Sequence, residues 1–183
     1  MSWVWVLVAI PVVLLLYGIL EFNRLVRHRN RVNNSWSGID VQLKRRYDLI
    51  PNLVEAVRGY ATHERRLFEE VTEARTRAIA AGTVQDQAAA ETDITRNLRQ
   101  LFAVAEDYPD LKANQNFLAL QEELTATESK IAFARQFYND QVMKYNTITQ
   151  QFPSLIVARL ASFIPREFFE AEEESRGAVA VQP

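Results

Sequence analysis

The first twenty residues form a long apolar run that contains no charged side chain. From Trp3 to Leu20 nearly every residue is apolar, and at 1.5 Å per residue a helix of this length approaches the ~30 Å of a bilayer core. Tryptophan and tyrosine lie near the ends of the run, where amphipathic rings favour the membrane interface. We therefore predict a transmembrane anchor over residues 1–22. Its anchoring side chains are Trp3, Trp5, Leu14 and Tyr17.

Basic residues follow the apolar run at once. Residues 22–50 hold seven basic and two acidic side chains, and no basic residue precedes the run in this sequence. The positive-inside rule then predicts an N-terminus outside and a C-terminal domain in the cytoplasm. The same side chains are suited to contact anionic lipid. They are Arg24, Arg27, Arg29 and Arg31.

A cleaved signal peptide is the alternative to an uncleaved anchor. A signal peptide needs a basic segment before its apolar core and a small-residue cleavage site after it. Neither feature is present before the charged residues begin. The sequence therefore favours the uncleaved anchor.

Beyond the anchor, apolar residues recur every three or four positions, which is the helical period. Four such stripes are separated by proline or glycine, and few glycines interrupt them. They predict an all-α fold, in which an antiparallel up-and-down four-helix bundle occupies residues 23–170. The stripes also have heptad spacing, which suits oligomers as well as a single bundle. They run over residues 32–50, 54–78, 94–108 and 117–145.

Two segments are open to alternative interpretations. Pro51 predicts a turn near Asp48–Ile50, with Asp48 as N-cap of the second helix, because proline disfavours helix at the residue before it. The alternative is one kinked, continuous helix. After Pro153 a short apolar helix is predicted, and residues 155–169 either pack on the bundle or lie on the bilayer. Residues 171–183 are predicted to form an acidic, disordered tail.

The composition excludes several kinds of chemistry. The absence of cysteine excludes disulfides, thiolate zinc sites, iron–sulfur clusters and cysteine nucleophiles. His63-Glu64 is followed by Leu67 where a zinc peptidase helix needs a second histidine. Residues 51–166 carry thirteen basic and fifteen acidic groups, which disfavours nucleic-acid binding. We expect no catalytic residue, no metal and no cofactor.

Polar residues at seam positions are candidates for buried contacts. Glu64 lies where the second stripe expects an apolar residue, and Arg135 is its predicted partner across the bundle. The alternative is a glutamate at the helix rim that reaches solvent. Asn139 and Asn146 are one heptad apart, so one helix face repeats the same amide. Such residues specify core packing or, alternatively, bind a ligand.

The connection over Tyr108–Asn114 is either a well-capped loop, in which Asp110 caps the fourth helix, or a docking loop for a partner. In an up-and-down bundle it shares the end farthest from the membrane with the predicted turn at Asp48–Asn52. The two segments together predict a composite partner surface. Its residues are Asp48, Pro51, Asn52, Tyr108, Pro109, Asp110, Lys112 and Asn114.

One pattern combines several stretches in a fixed order: Ser35–Arg46, Asp48–Val54, Ala61–Glu64, Glu106–Asn114, Ala134-Arg135, Tyr138-Asn139 and Tyr145-Asn146, together with Phe117, Leu120, Leu124, Glu128 and Ile131. This pattern resembles the LemA family of bacterial membrane-anchored proteins. The resemblance runs from about residue 20 to residue 170 and is specific in order and spacing. It implies a four-helix bundle behind one membrane helix, and it does not imply a reaction. Some relatives in the family are associated with magnetosome membranes, which favours a function in membrane organisation. Genes of the family often lie near genes for membrane proteases or other envelope proteins, which favours an adaptor function.

The sequence therefore predicts a non-enzymatic adaptor or scaffold at the inner membrane. Its expected partners are membrane lipids and a protein, with a membrane protease or envelope protein as the candidate, and a homo-oligomer is also compatible. The first alternative is a membrane-organising protein that self-assembles on the bilayer. A hydrolase or metal enzyme is a distant third.

Overall fold

A computed structural model describes residues 2–169, and helices account for most of this range. No strand occurs within it, so the all-α prediction is confirmed. The predicted acidic tail at residues 171–183 lies outside the described residues. The described part of the chain contains six helices in this order: α1 (Ser2–Arg58), α2 (Arg65–Ala80), α3 (Val84–Glu106), α4 (Pro109–Lys112), α5 (Gln115–Gln150) and α6 (Ser154–Leu160).

The described residues form two compact units. The first unit comprises residues 2–38 and 134–168, and the second comprises residues 39–133 together with Phe169. Both α1 and α5 contribute to both units. Leucine, isoleucine, valine and aromatic side chains fill the core of the second unit. Among them are Ile39, Leu43, Leu53, Val57, Val71, Ile94, Leu101, Leu111, Phe117 and Ile131.

Helix α1 continues through Pro51 without a break and ends at Arg58. The predicted turn at Asp48–Ile50 is therefore wrong, and Asp48 caps no helix; the continuous alternative is the one found. A proline at position 51 has no N–H to donate to the carbonyl of Tyr47, four residues earlier. The Nε–H of Arg75 on α2 donates to that carbonyl instead, at 2.7 Å. A side chain from another helix thus satisfies the group that proline leaves unpaired.

The break between the first two helices falls at residues 59–64. Gly59 follows the last residue of α1, and the N–H groups of Tyr60 and Ala61 both donate to the carbonyl of Val57. The predicted heptad seam from Val54 to Ala78 is therefore wrong over this connection. Ala61 is nevertheless completely buried, so the apolar period there reflects a packed loop and not a helix.

The predicted fourth stripe lies within α5, and the third lies in α3 up to Ala105, although α3 begins ten residues before that stripe and ends before Tyr108. Thr83 caps α3 through its Oγ1, which accepts the N–H of Asp86 at 3.0 Å. The cap of α5 is Asn114, whose Oδ1 accepts the N–H groups of Asn116 and Phe117. The expectation that Asp110 caps this helix is wrong, because Asp110 lies in the first turn of the short helix α4.

Helix α6 and the chain that follows it pack on α5 within the first unit. The hydroxyls of Tyr138 and Tyr145 donate to the carbonyls of Glu167 and Ile164, at 2.9 and 3.1 Å. Asn146 pairs with the backbone N–H and carbonyl of Arg166, each at 2.8 Å. These contacts agree with the packed alternative for residues 155–169, although only Ser154–Leu160 are helical.

Candidate functional site

The second unit contains a buried ion pair between α1 and α3. Arg46 Nη1 lies 3.0 Å from Glu91 Oε2, and the two side chains are only 4% and 3% exposed. Arg46 Nη2 also donates to Thr95 Oγ1 at 2.9 Å and contacts Glu128 Oε2 on α5 at 3.0 Å. One guanidinium therefore joins three helices, which fixes their register.

Tyr47 and Gln87 complete this network. The Tyr47 hydroxyl donates to Glu91 Oε1, and Gln87 Nε2 donates to the Tyr47 oxygen at 2.7 Å. Burial raises the pKa of Glu91, while Tyr47 and Arg46 oppose that rise. Burial also raises the pKa of Tyr47, and the nearby Glu91 carboxylate adds to the effect. Both oxygens of Glu91 are occupied by donors of the protein itself, so the geometry is that of a structural lock.

An open groove of about 230 Å³ lies beside this network on the surface of the second unit. Arg46, Arg99 and Glu128 contribute charged groups to its lining. Leu98, Phe102 and Leu124 contribute apolar surface. The groove therefore offers charged and apolar contacts side by side, as protein-binding surfaces do.

The predicted anchor residues lie in the first part of α1, and the described side chains there are exposed. Trp3, Trp5, Leu14 and Tyr17 all belong to this exposed group. Arg24, Arg27 and Arg31 are exposed on the same helix, a few turns further along. Arg29 is also exposed, and its guanidinium lies over the Phe163 ring, 5.3 Å from the centroid.

The predicted partner surface is only partly assembled. Asp48, Pro51 and Asn52 are exposed, but they lie within α1, before its end at Arg58. The connection between α1 and α2 contributes Tyr60 instead, whose hydroxyl accepts a hydrogen bond from Asn114 Nδ2 at 3.3 Å. The remaining predicted residues accompany Asn114 in the connection between α3 and α5. They are Tyr108, Pro109, Asp110 and Lys112.

The polar residues predicted to be buried are half-buried. Glu64 lies in the connection just before α2 and makes no capping hydrogen bond with its side chain. Arg135, Asn139 and Asn146 lie on α5, at the boundary between core and solvent. Asn146 holds the backbone at Arg166, as described above. A loop position and helix-boundary positions explain why the burial expected from heptad spacing is incomplete.

Sequence reasoning missed Arg46, Tyr47, Gln87 and Glu91 as a group. The signal was nevertheless present, because the apolar stripe of α3 begins at Ile94 and the helical period extends backwards to Glu91 and Gln87. Polar residues at positions that continue an apolar stripe are candidates for buried contacts. The partner, Arg46, was concealed within a run of basic residues.

These features define a class of protein. Residues 2–169 contain helices and no strand, and the first helix begins with an exposed apolar stretch and ends within a packed domain. Within the described residues, α1 is the one helix whose length and composition are sufficient to cross a membrane. The chain belongs to the LemA family, which it matches over residues 35–182.

Three relatives illustrate the extent of the similarity. Magnetosome protein MamQ 2 of Paramagnetospirillum magneticum is 22% identical, over 83% of this chain and 65% of the relative. Protein LemA of Metamycoplasma hominis is 23% identical, over 84% of this chain and 71% of the relative. Magnetosome protein MamQ of Magnetospirillum gryphiswaldense is 21% identical, over 82% of this chain and 65% of the relative. The chain thus spans just under two thirds of the length of the MamQ relatives.

Proposed function

We propose that this chain is a single-pass membrane-anchored adaptor or scaffold that binds protein partners through its helical domain and catalyses no reaction. One observation carries the proposal. Helix α1 exposes its apolar side chains from Val8 to Leu16, yet the same helix buries Leu25, Val32 and Ile39. An uninterrupted helix with one end suited to lipid and the other packed in a domain holds that domain at the membrane.

In this proposal the N-terminus lies outside and the helical domain lies in the cytoplasm, at a bacterial inner membrane. The support is the excess of basic residues directly after the apolar stretch, which the positive-inside rule assigns to the cytoplasmic side. Four of these residues, Arg24, Arg27, Arg29 and Arg31, would lie near lipid head groups.

The domain is proposed to be an antiparallel up-and-down four-helix bundle. Two contacts in the second unit support hairpin pairing. Arg75 contacts Tyr47, and the two residues lie at similar distances from the connection at residues 59–64. Asn97 Nδ2 donates to the carbonyl of Glu70, and these residues flank the connection before α3 in the same way. Helices joined by short connections and paired in this manner run antiparallel.

The partner surface is proposed at the hydrogen-bonded connections, around Tyr60, Asp110 and Asn114. In an up-and-down bundle this end lies farthest from the membrane, where a partner has free access. Exposed polar loops held by a rigid scaffold are frequent binding sites. A membrane protease or another envelope protein is the class of partner proposed.

Site-specific photocrosslinking in native membranes tests this surface. A photoreactive phenylalanine analogue at Asp110 is expected to give a discrete adduct with one partner, which mass spectrometry identifies. The matched control places the analogue at Gln100, an exposed position on α3. Equal adducts at both positions, or none at Asp110, would contradict the proposed surface.

The non-enzymatic part of the proposal rests on the network around Glu91. Burial raises the pKa of the Glu91 carboxyl group, as it can for a general acid or base. Both of its oxygens nevertheless already accept hydrogen bonds from side chains of the protein. A general acid or base needs a free position within hydrogen-bond reach of its substrate. The arrangement therefore supports a structural role for these side chains.

A self-assembling, membrane-organising protein is the second candidate. Two large aromatic residues on α5, Phe133 and Phe137, are exposed, and two of the relatives are named magnetosome proteins. Exposed aromatic side chains are enriched at interfaces between proteins. Light scattering of the full chain in detergent distinguishes the candidates: one copy per particle supports an adaptor, and larger assemblies support the alternative.

A further inference from the structure

The register of α1 and α5 in the first unit shows which end of α5 faces the apolar stretch. Trp36 contacts Tyr138 ring to ring, with 5.4 Å between centroids, and Arg31 and Lys144 line one groove. Within the first unit, α1 and α5 therefore run antiparallel. Gln150 ends α5 twelve residues after Tyr138, or about 18 Å nearer the N-terminal part of α1, beside residue 24.

Helix α6 begins at this level and has two unlike sides. Its small side chains, Ser154 and Ala158, are buried four residues apart. Beyond the helix, Phe163 is buried against Phe22 on α1, with ring centroids 5.6 Å apart. The segment is thus fastened to α1 just two residues beyond the end of the apolar stretch at Leu20.

The opposite side of α6 is apolar and exposed, because Ile156 and Leu160 lie across the helix from Ser154 and Ala158 and are 51% and 83% exposed. Phe152 and Ile164 flank the two ends of the helix and are 80% and 74% exposed. Together these four residues form a row of apolar surface. Exposing such a row to water is unfavourable, because burying apolar surface away from water lowers the free energy. The row, which we call the α6 apolar row, needs an occupant.

The level of the α6 apolar row along α1 points to the lipid bilayer as that occupant. If α1 spans the membrane up to Leu20, residue 24 lies about 6 Å beyond the hydrocarbon core, within the head-group layer. Arg24, Arg27 and Arg159 are exposed there, which suits anionic head groups. The row therefore continues the apolar surface of α1 sideways along the membrane.

We propose that the α6 apolar row inserts into the bilayer interface and forms a second membrane contact beside the transmembrane part of α1. Two contacts define the tilt of α1 relative to the bilayer, whereas one helix alone leaves it free. The contact thus holds the first unit in a fixed orientation above the membrane. This inference rests on the proposed anchoring of α1.

Lipid quenching of single-cysteine variants tests the contact, and the cysteine-free chain makes each label unique. The full chain carrying Leu160→Cys is labelled with the fluorophore NBD and reconstituted in phosphatidylethanolamine–phosphatidylglycerol vesicles. We expect a blue-shifted emission and strong quenching by lipids with a nitroxide near the head group. Ile156→Cys repeats the measurement at a second position, and circular dichroism checks that each variant is folded.

Two control labels separate the possible results. Phe137→Cys is an exposed aromatic position near the level of Trp36 on α1, far from the membrane, and is expected to show no lipid quenching. Leu14→Cys reports the anchor itself and is expected to be quenched by nitroxides deep in the acyl chains.

Quenching at Leu14 without quenching at Leu160 and Ile156 would overturn the second contact and leave the anchor intact. No quenching at Leu14 would overturn the anchor as well. A blue shift at Leu160 that disappears on dilution, without lipid quenching, would assign the row to a second copy of the chain and also overturn the inference.

Discussion

Two neighbouring arginines of α1 have very different surroundings. Arg46 is buried with Glu91, whereas Arg45 forms an ion pair with Glu123 in which the two side chains are 50% and 40% exposed. Water screens the exposed pair, so its two charges gain little from each other. The buried pair has lost its water, and each charge depends on its partner. The two residues therefore form a matched pair for mutation.

Arg46→Met is expected to lower the free energy of unfolding by about 3–5 kcal/mol, because it leaves the Glu91 carboxylate buried without its counter-ion. Arg45→Met, the control, should cost less than about 1 kcal/mol. Urea unfolding of the full chain in detergent, followed by circular dichroism, measures both. Similar losses in the two variants would show that the buried network does not stabilise the fold.

The pH dependence of stability follows from the raised pKa of Glu91. Between its ordinary pKa of 4.5 and the higher folded value, the folded state binds more protons than the unfolded state. The contribution of Glu91 to stability is therefore complete below pH 4.5 and decreases as the pH rises through the folded pKa.

Glu91→Gln should remove this part of the pH dependence. The stability of the wild type relative to the variant is expected to fall as the pH rises from about 4.5, measured as urea midpoints at a series of pH values. A wild-type advantage that grows with pH over this range would show that the folded pKa is lowered instead.

At the scale of elements, the contact between Arg75 and Tyr47 explains how α1 tolerates a proline. A proline in a helix interior removes one backbone hydrogen bond and leaves a carbonyl without a donor. Because Arg75 supplies that donor from α2, the continuity of α1 depends on a neighbouring helix. The helix and its packing partner are therefore energetically coupled.

A double-mutant cycle tests this coupling. In the wild type, Arg75→Met should lower the free energy of unfolding by about 1–3 kcal/mol, because it leaves the Tyr47 carbonyl without a hydrogen-bond donor. In the Pro51→Ala background the cost should be smaller, since the new N–H at position 51 reaches the same carbonyl. Equal costs in both backgrounds, measured by urea unfolding, would mean that the two residues act independently.

The start of α5 allows a second test at this scale. Asn114→Ala is expected to cost about 1 kcal/mol, because it removes the side chain that accepts two backbone N–H groups. Asp110→Ala provides the comparison, and it should shift the thermal midpoint less. A larger loss for Asp110→Ala than for Asn114→Ala would show that Asn114 is not the residue that caps α5.

At the scale of the whole molecule, the distribution of charge along α1 predicts how the chain crosses the membrane. A single cysteine at Asn52, on the exposed side of α1, should resist an impermeant maleimide in intact cells and react after lysis. A cysteine at Ser2 should react in intact cells. The reverse pattern would mean that the domain lies outside, against the positive-inside rule.

The sequence by itself determined the helical class, the apolar anchor candidate and most helix positions. Each of these features depends on the periodicity or composition of many consecutive residues, so it can be derived from the amino-acid sequence alone. It also located most of α5 and the second half of α3, because their apolar stripes are regular and end before Pro153 and Pro109.

Only the tertiary structure decided the features that depend on contacts between distant residues. Pro51 predicts a break in any isolated helix, and the donor that prevents it comes from Arg75, twenty-four residues further on. The pairing of Arg46 with Glu91, the Asn114 cap joined to Tyr60 and the exposed α6 apolar row likewise require three-dimensional proximity. Sequence patterns report what each segment prefers, whereas packing decides which partners satisfy its polar groups and which apolar faces stay uncovered.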